Sequence, residues 1–441
     1  MKLTYLKSST CIIENNGIKV LFDPWLTNGE YYGSWNHLSV KDIDDKIYKN
    51  LDYIYISHIH PDHFSKKTLK KFDKSTKVLI HKFAKPFLKK SIEANFFNVI
   101  EIEHGKKFFF DKEFFIKIYA ADDCNPLICS KHFACEISKN QLGSNQIDTL
   151  CLISNYKKNI LNVNDCPFEM SKTVLKKIIK EYNKIDLLLA GYAGAGPYPQ
   201  CFSNLNKSSK IKKSKIKKIQ FLNQASNFAK LINPKYFMPF AGTYYLGGKL
   251  TKLNKFRGVA TRLEAKKFLS SRHKNIKFFI LKTNGEIDLD SNILYKEENQ
   301  ENENLDAKKI KFLNSKNLDY DKIKFPNENK LSKLLEKAYE RFMDKIILTG
   351  YNKGTKVIVQ LSSNRNFIID TKQKKYFFSK KNIFKKNYLL LKVDKRLLYK
   401  ILQGPMYAHW NNADIGSHID YYRKPDIYEK KLFYCLNFFH A

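Results

Sequence analysis

Short apolar runs alternate with polar turns through the first half of the chain. The segment LTYLKSSTCIIENNGIKVLFDPWL predicts two strands joined by a turn at Asn16-Gly17, a pair that favours tight hairpins. Apolar runs also predict strands for LDYIYIS, KVLIH and FFIKIYA, and a hairpin for TLCLISNY with NILNVND. The amphipathic segment SKTVLKKIIKEYN predicts a helix, and the strand IDLLLAG follows it. Strands with interleaved helices predict an α/β fold.

The pattern changes near residues 296–309, where KEENQENENLDAKK has no apolar periodicity. This stretch is predicted to be a linker. Beyond it, KLSKLLEKAYERFMDKI predicts an amphipathic helix, TKVIVQL and YLLLKVD predict strands, and KRLLYKILQG predicts a helix that ends at Gly404-Pro405. We therefore predict a domain over residues 1–290, a linker over 291–324 and a smaller α+β domain over 325–441.

Composition adds a strong positive charge, +36 over 441 residues. The lysines are spread over almost every segment, so we predict no nucleic-acid partner, and the run at 207–218 is interpreted as a solvated helix face. The eight cysteines form no CxxC pair, which is typical of a reducing compartment. No leader-like apolar segment and no run of roughly 18 apolar residues occurs, so we predict a cytoplasmic protein without membrane insertion.

The segment SHIHPDHF, residues 57–64, follows the predicted strand LDYIYI directly and carries the strongest chemical signal. His58 and His60 are two residues apart on an extended segment, so they can point to the same side. Neutral imidazoles suit zinc, iron or manganese. Asp62 and His63 are adjacent and must diverge, which suits a second metal position. The segment therefore predicts a metal centre.

HxHxDH after a strand resembles the signature of the metallo-β-lactamase superfamily. The resemblance implies an αββα sandwich in which His58 and His60 bind one metal, while Asp62 and His63 bind the other. It also implies a catalytic role for Asp62. Asp23, in LFDPWL, stands where the superfamily places an aspartate that supports the metal loop.

The superfamily also places a bridging acid at a later strand end, and NILNVNDCP supplies Asp165 there. A turn aspartate before a proline is the alternative for this residue. One further histidine is expected before the bridging acid and one after it. The candidates before Asp165 are His104, His132, Asp122 and Asp123. No histidine follows in PKYFMPFAGTYYLGGK, so the second metal site is incomplete, or the C-terminal domain completes it, and a single metal stays open.

A glycine-rich loop, AGYAGAGPYPQCF, follows the strand IDLLLA. Gly191, Gly194 and Gly196 would let the backbone approach a substrate closely, and amides there could hold an anionic oxygen. A tight turn is the alternative. Together with DTLCLISNYKKNILNVNDC and INPKYFMPFAG, this loop resembles the catalytic part of the CMP-N-acetylneuraminic acid hydroxylase family, near the ascorbate-6-phosphate lactonase branch, over residues 1–285.

The hydroxylase family carries a Rieske iron–sulfur domain ahead of this part. A Rieske centre needs a C-x-H motif paired with a C-x-x-H motif, and this sequence lacks the pair. The resemblance therefore implies hydroxylation only if a separate ferredoxin-type partner delivers electrons.

The C-terminal segment YAHWNNADIGSHIDYYRKPD is polar and aromatic. Three interpretations stay open: a structural loop, a cap that binds substrate through Asn411, Asn412 and His418, or a source of a metal ligand through His409 or His418. The preceding LLLKVDKRLLYKILQG resembles the strand and helix before the binding edge of sterol-carrier-like domains.

Our first hypothesis is a metal-dependent hydrolase with one or two divalent ions, zinc or iron and alternatively manganese. A metal-activated water would attack a small anionic sugar or nucleotide sugar. The second hypothesis is an iron-dependent oxygenase acting on a nucleotide sugar with a separate electron-transfer partner. The third is a non-catalytic binding protein that keeps the fold with a degenerate metal site.

Overall fold

The computed structural model describes all residues except 39–42, 44–46, 48, 97, 136, 138–147, 301 and 381–385. Its strands are β1 Lys2–Lys7, β2 Thr10–Asn15, β3 Ile18–Phe22, β4 Trp35–Asn36, β5 Tyr53–Tyr55, β6 Lys77–His81, β7 Val99–Ile102, β8 Lys107–Phe109, β9 Phe115–Ala120, β10 Thr149–Ser154, β11 Asn159–Asn162, β12 Leu187–Gly191, β13 Tyr236–Phe240, β14 Tyr245–Leu246, β15 Lys277–Phe278, β16 Leu281–Asp288, β17 Ile293–Glu297, β18 Lys356–Ser362, β19 Arg365–Asp370, β20 Lys375–Ser379, β21 Tyr388–Val393 and β22 Ile419–Lys424.

The helices are α1 Lys66–Leu69, α2 Phe87–Glu93, α3 Pro126–Phe133, α4 Phe168–Glu181, α5 Lys207–Ile232, α6 Arg262–Ser270, α7 Ala307–Asn314, α8 Glu328–Leu348, α9 Lys395–Leu402, α10 Trp410–Ile415 and α11 Lys430–Leu436, with a 3-10 segment at Gly248–Phe256. None of the described helices is long and apolar enough to cross a membrane.

Two large sheets form most of the N-terminal part, and β14 and β4 pair in a separate two-stranded sheet. The first has the order β17-β16-β1-β2-β3-β5-β6-β7, and the second has the order β15-β13-β12-β11-β10-β9-β8. Their facing sides share one buried core, which includes Leu3, Phe22, Ile116, Leu189 and Met238. These strands form because their apolar residues alternate or run continuously, as expected for strands covered on one or both faces.

Helices cover the two outer faces of this pair of sheets. Leu69 of α1 and Leu88 of α2 pack with buried residues of the first sheet. Val174 of α4, Phe228 of α5 and Leu269 of α6 pack with buried residues of the second. The layers are therefore helix, sheet, sheet and helix, which confirms the α/β sandwich predicted from the sequence.

The first hairpin shows how local sequence fixes the edge of this sandwich. Asn16 and Gly17 both have positive φ, +51° and +80°. A two-residue turn with both central residues in this region matches the twist of the flanking strands, and asparagine and glycine reach it at low cost. The turn therefore sets the register of β2 on β3.

The C-terminal part has its own sheet, with the order β20-β19-β18-β21-β22. Its core is apolar, and helices α8, α9 and α11 contribute Leu335, Leu398 and Leu436 to it. The same core includes Phe202 of the N-terminal part, whose ring stacks on Tyr421 at 5.1 Å between centroids. The C-terminal sheet is therefore packed against the loop that precedes α5.

The interval 291–324 differs from the linker predicted there. Strand β17 pairs with β16, and α7 begins after Asp306, whose side chain accepts the Lys309 amide. Asp319 N donates to Tyr32 O across the N-terminal part. The polar composition concealed these elements because β17 and α7 each bury few side chains, so little apolar periodicity is required.

Candidate metal centre

Three loops bring polar side chains to one edge of the sandwich. The loop that contains His58 follows β5, whose Ile54 and Tyr55 are fully buried. Asp165 follows β11, and Asp148 directly precedes β10, which runs antiparallel to β11. Ends of neighbouring antiparallel strands meet at the same edge, so these residues converge from both sheets.

The first group of candidate ligands consists of His58, His60 and Asp148. His58 Nε2 lies 3.0 Å from His60 Nδ1 and 3.4 Å from Asp148 Oδ1. One ligand atom from each residue lies within 4.8 Å of the other two. The three side chains can therefore hold a single ion with two imidazoles and one carboxylate.

The second group consists of His58, His63 and Asp165. His63 Nε2 lies 3.4 Å from Asp165 Oδ2 and 3.6 Å from Asp62 Oδ2. Because His58 belongs to both groups, the two groups are contiguous. The arrangement can accommodate one ion or two neighbouring ions.

Asp23 and Ser57 hold the outer sides of the imidazoles. Asp23 is fully buried, and its Oδ2 lies 2.8 Å from His63 Nδ1 and accepts the Ser57 hydroxyl at 2.8 Å. Ser57 Oγ, having donated to Asp23, accepts from His58 Nδ1 at 2.9 Å. The Nδ1 atoms of His58 and His63 thus carry the ring protons, and the Nε2 atoms of these two histidines present lone pairs to the centre.

The C-terminal part reaches the same loop through Asn411 and His418. Asn411 Oδ1 lies 3.1 Å from His60 Nε2, which therefore donates to it and leaves His60 Nδ1 as an acceptor. His418 Nε2 lies 2.7 Å from Tyr31 O, and the Tyr31 hydroxyl donates to Asp62 Oδ1. The C-terminal segment thus orients groups of the metal loop.

The charges of the centre are unbalanced without a cation. Burial alone would lower the pKa of His63, but the carboxylates of Asp165, Asp23 and Asp62 raise that pKa well above its usual value. Burial raises the pKa of Asp148 to about 6. Burial, with His63 and His60, lowers the pKa of His58 well below its usual value. The centre therefore favours one or more positive charges between the carboxylates and the imidazoles.

The donor set fits a metal ion. His63 Nε2 is buried and has no hydrogen-bond partner among the described residues, and it faces two carboxylates. His58 Nε2 and His60 Nδ1 face each other at 3.0 Å, and the ring protons are on the other nitrogens, His58 Nδ1 and His60 Nε2. Two facing lone pairs repel each other unless a cation lies between them, so the residues fit a bound metal.

Some predicted site residues lie elsewhere. Asp123 Oδ1 lies 3.2 Å from His104 Nε2, and its Oδ2 accepts from Lys177 Nζ at 2.6 Å. His132 lies in the last turn of α3. Neither Asp123 nor His132 is in the two groups formed by the described residues around His58, because the turn and helix after β9 carry them away from Asp165.

The remaining C-terminal candidates serve the contact between the two parts of the chain. His409 caps α10 by accepting the Asn411 amide, and its backbone amide donates to Tyr32 Oη at 2.6 Å. His418 is buried and contacts Tyr320 Oη through Nδ1 at 3.0 Å. Among the described residues, His418 belongs to neither ligand group around His58. Asn412 hydrogen-bonds the Tyr32 side chain.

The glycine loop lies beside the centre at one end only. A Cβ on Gly191 would approach Asn164 O at 3.1 Å and Asp165 Oδ1 at 3.9 Å. A Cβ on Gly194 would overlap the ring of Phe221, and Gly196 has a φ of +99°. Packing against α5 therefore explains Gly194, and backbone conformation explains Gly196. A substrate role for the three glycines stays a prediction.

Sequence reasoning missed Asp148 as a candidate ligand. It named acids and histidines that follow strands, whereas Asp148 precedes one, in NQIDTLCL. The available signal was an acid directly before a continuous apolar strand that forms a hairpin with the strand leading to Asp165. In an antiparallel pair, the start of one strand and the end of the next share an edge.

Asn411→Ala is expected to weaken metal binding by roughly 10–100-fold, the usual cost of losing a partner that orients a ligating histidine. The variant frees His60 Nε2, so the ring can rotate or take the wrong tautomer. Titration of the apo-protein with Fe²⁺ and with Zn²⁺ measures the change. Asn437→Ala, in the C-cap of α11, is the matched control. Equal affinities for wild type and Asn411→Ala would contradict the orienting role.

Comparison with known proteins confirms the resemblance to the metallo-β-lactamase superfamily and to the CMP-N-acetylneuraminic acid hydroxylase family. Residues 2–126 match the family model described as the beta-lactamase superfamily domain. Cytidine monophosphate-N-acetylneuraminic acid hydroxylase of Danio rerio is 26% identical over 254 residues, which are 55% of this chain and 38% of that protein. A Mycolicibacterium smegmatis protein described as a Rieske 2Fe-2S iron-sulfur protein is 30% identical over 107 residues, 23% of this chain and 20% of that protein.

A solved structure of isothiocyanate hydrolase from Delia radicum gut bacteria aligns with 65% of this chain and 99% of its own, at 16% identity and a TM-score of 0.44. The chain matches well under half the length of the two curated relatives.

Proposed function

We propose that the chain is an iron-dependent oxygenase that hydroxylates a small anionic sugar or nucleotide sugar, with electrons supplied by a separate iron–sulfur partner. The observation that carries the proposal is the group of His58, His60 and Asp148. Two imidazoles and one carboxylate with open positions are the ligand set of non-haem iron oxygenases.

The rest of the donor set supports iron in the same way. His63, Asp62 and Asp165 add one imidazole and two carboxylates, and no thiolate belongs to these groups. Imidazoles combined with a carboxylate suit non-haem iron, whereas thiolates select softer ions. When bound, iron would supply the activation of dioxygen.

The surrounding residues would restrict and orient what enters. Asp165 is the open side of the centre, with 35% of its side chain exposed. On the other side, Asn411 of α10 closes the approach to His60. A substrate would therefore enter beside Asp165, and α10 would form the opposite side of its binding site. The relatives named as hydroxylases of a nucleotide sugar support that substrate class.

The experiment compares oxygen sources. Protein reconstituted with Fe²⁺ and a chemical reductant is incubated with a panel of nucleotide sugars, including CMP-N-acetylneuraminic acid, under heavy-isotope dioxygen or in heavy-isotope water. Label incorporated from dioxygen by mass spectrometry is the expected result. Asp148→Asn should abolish this product, and Asp344→Asn, which changes an exposed carboxylate of α8, is the matched control. Product formed without dioxygen and labelled from water would overturn the proposal.

A metal-dependent hydrolase is the second candidate, and the position of Asp62 favours it. Tyr31 donates to Asp62 Oδ1, and Asp62 Oδ2 faces His63 Nε2 at 3.6 Å. This arrangement holds one carboxylate oxygen toward the centre, where it could accept a proton from a water molecule. Zinc in the purified protein, with turnover independent of dioxygen, is the result that selects this candidate.

A further inference from the structure

A second cluster of nitrogen and sulfur ligands lies outside the centre described above. It consists of His81, which ends β6, His104, which follows β7, and Cys124, which follows β9. One ligand atom of each residue lies within 4.8 Å of the other two. Two imidazoles and one thiol, which prefer the same ions, thus meet from three separate strands.

His81 is the most informative member. Its side chain is about 1% exposed, and neither ring nitrogen has a hydrogen-bond partner among the described residues. A neutral imidazole carries one donor and one acceptor, and burying both unpaired is costly. The nearest rings are those of Phe83 at 5.1 Å and His104 at 5.8 Å between centroids. A metal ion would use one of these nitrogens.

The turn that carries Cys124 is held in place by its neighbours. The Cys124 amide donates to Asp122 Oδ1 at 3.1 Å, and Asp123 is paired with Lys177. The Ala120 amide donates to His104 Nδ1 at 3.2 Å, so His104 Nε2 carries the proton and donates to Asp123 Oδ1. A metal ion at Nδ1 would take the lone pair that now accepts the Ala120 amide, and Nε2–H would keep its hydrogen bond to Asp123, as is usual for a metal-bound imidazole.

We propose that His81, His104 and Cys124 form a second metal site, which binds Zn²⁺ and is separate from the centre around His58. One thiolate and two imidazoles suit zinc, and three protein ligands leave a fourth tetrahedral position for water or a carboxylate. The centre around His58 offers only nitrogen and oxygen ligands, so the two sites differ in the ions they prefer.

A zinc ion bound by this cluster would connect the two large sheets of the N-terminal part. His81 and His104 flank strands of the first sheet, whereas Cys124 follows a strand of the second. A shared ion would therefore join the two sheets at their common edge. The Ala121 amide, three residues before Cys124, donates to Asp148 O at 3.1 Å. Zinc would thus also fix the backbone that positions Asp148.

Cobalt substitution separates the two sites, because only the proposed one contains sulfur. In the His58→Ala/His60→Ala background, protein loaded with Co²⁺ is expected to show the near-ultraviolet thiolate-to-cobalt absorption. Cys124→Ser should abolish that absorption and lower the zinc content by one equivalent per chain. Cys135→Ser is the matched control, since Cys135 is the other partly exposed cysteine nearby, 2.9 Å from Cys129 Sγ, and it should leave both readings unchanged.

A second variant keeps the proposal testable if Cys124→Ser does not fold. His81→Leu places an apolar side chain in the buried position, so the fold should tolerate it. Added zinc is expected to raise the Tm of the His58→Ala/His60→Ala protein and to leave the Tm unchanged once His81→Leu is added. No thiolate absorption in the parent, its loss in Cys135→Ser, or an equal zinc-induced Tm shift with His81→Leu would each overturn the proposal.

Discussion

Replacing His58 and His60 together with alanine is expected to remove the metal of the centre while leaving the protein folded. Both side chains lie in the loop after β5, and the buried strand residues that hold the loop are untouched. Without the imidazoles of His58 and His60, the first group of ligands keeps only Asp148, and the second keeps His63 and Asp165. Elemental analysis should show the loss, and far-ultraviolet circular dichroism should be that of wild type.

His132→Ala is the control for this double variant, since His132 lies on α3 outside the two groups. It should bind as much metal as wild type. The zinc proposed at Cys124 should survive in both variants, so metals are counted separately as iron and zinc. If the His58→Ala/His60→Ala protein retains its full stoichiometric complement of metal, the principal binding site is elsewhere in the chain.

Local patterns were sufficient for those parts of the molecule in which neighbours in sequence are neighbours in space. The hairpin at Asn16-Gly17, the strand before His58 and the helix α4 follow from periodicity and turn chemistry within a few residues. The ligand loop is likewise local, because His58 and His60 share one extended segment.

Contacts between distant segments could not be predicted in this way. Asp148 reaches His58 across 90 residues of sequence, and Asn411 reaches His60 across 351. Each contact depends on how two sheets, or two parts of the chain, pack together. Neither an acid before a strand nor an asparagine in a short helix is unusual in itself. Only the packed fold assigns such residues to the centre.

The late histidine expected after Asp165 illustrates the same limit. Its absence predicted an incomplete second metal site or one that the C-terminal part completes. The C-terminal part does contact the metal loop, but through an amide that orients His60 and a buried imidazole that holds Tyr31. Sequence can show that a ligand is missing, but it cannot show whether the replacement binds the metal or positions another ligand.

Asp148→Asn and Asp165→Asn are expected to weaken metal binding at different parts of the centre. Each change keeps the shape of the side chain and removes its charge. Asp148 accompanies His58 and His60, so its loss should empty the first group while the second keeps Asp165. Asp165 accompanies His63, so the loss of the Asp165 charge should empty the second group while the first keeps Asp148. A neutral amide is a poorer ligand than a carboxylate, and it leaves the positive charge of the ion less well balanced.

Metal stoichiometry and affinity of the two single variants and of the combined variant distinguish this arrangement from its alternatives. We expect each single variant to lose more than the roughly 10–100-fold in affinity that outer partners contribute, and the combined variant to bind no metal at the centre. Asp344→Asn, which changes an exposed carboxylate of α8, should bind the centre's metal as wild type does. Unchanged affinity in Asp165→Asn would show that this residue serves the turn before Pro167, and unchanged affinity in Asp148→Asn would remove the carboxylate on which the oxygenase proposal depends.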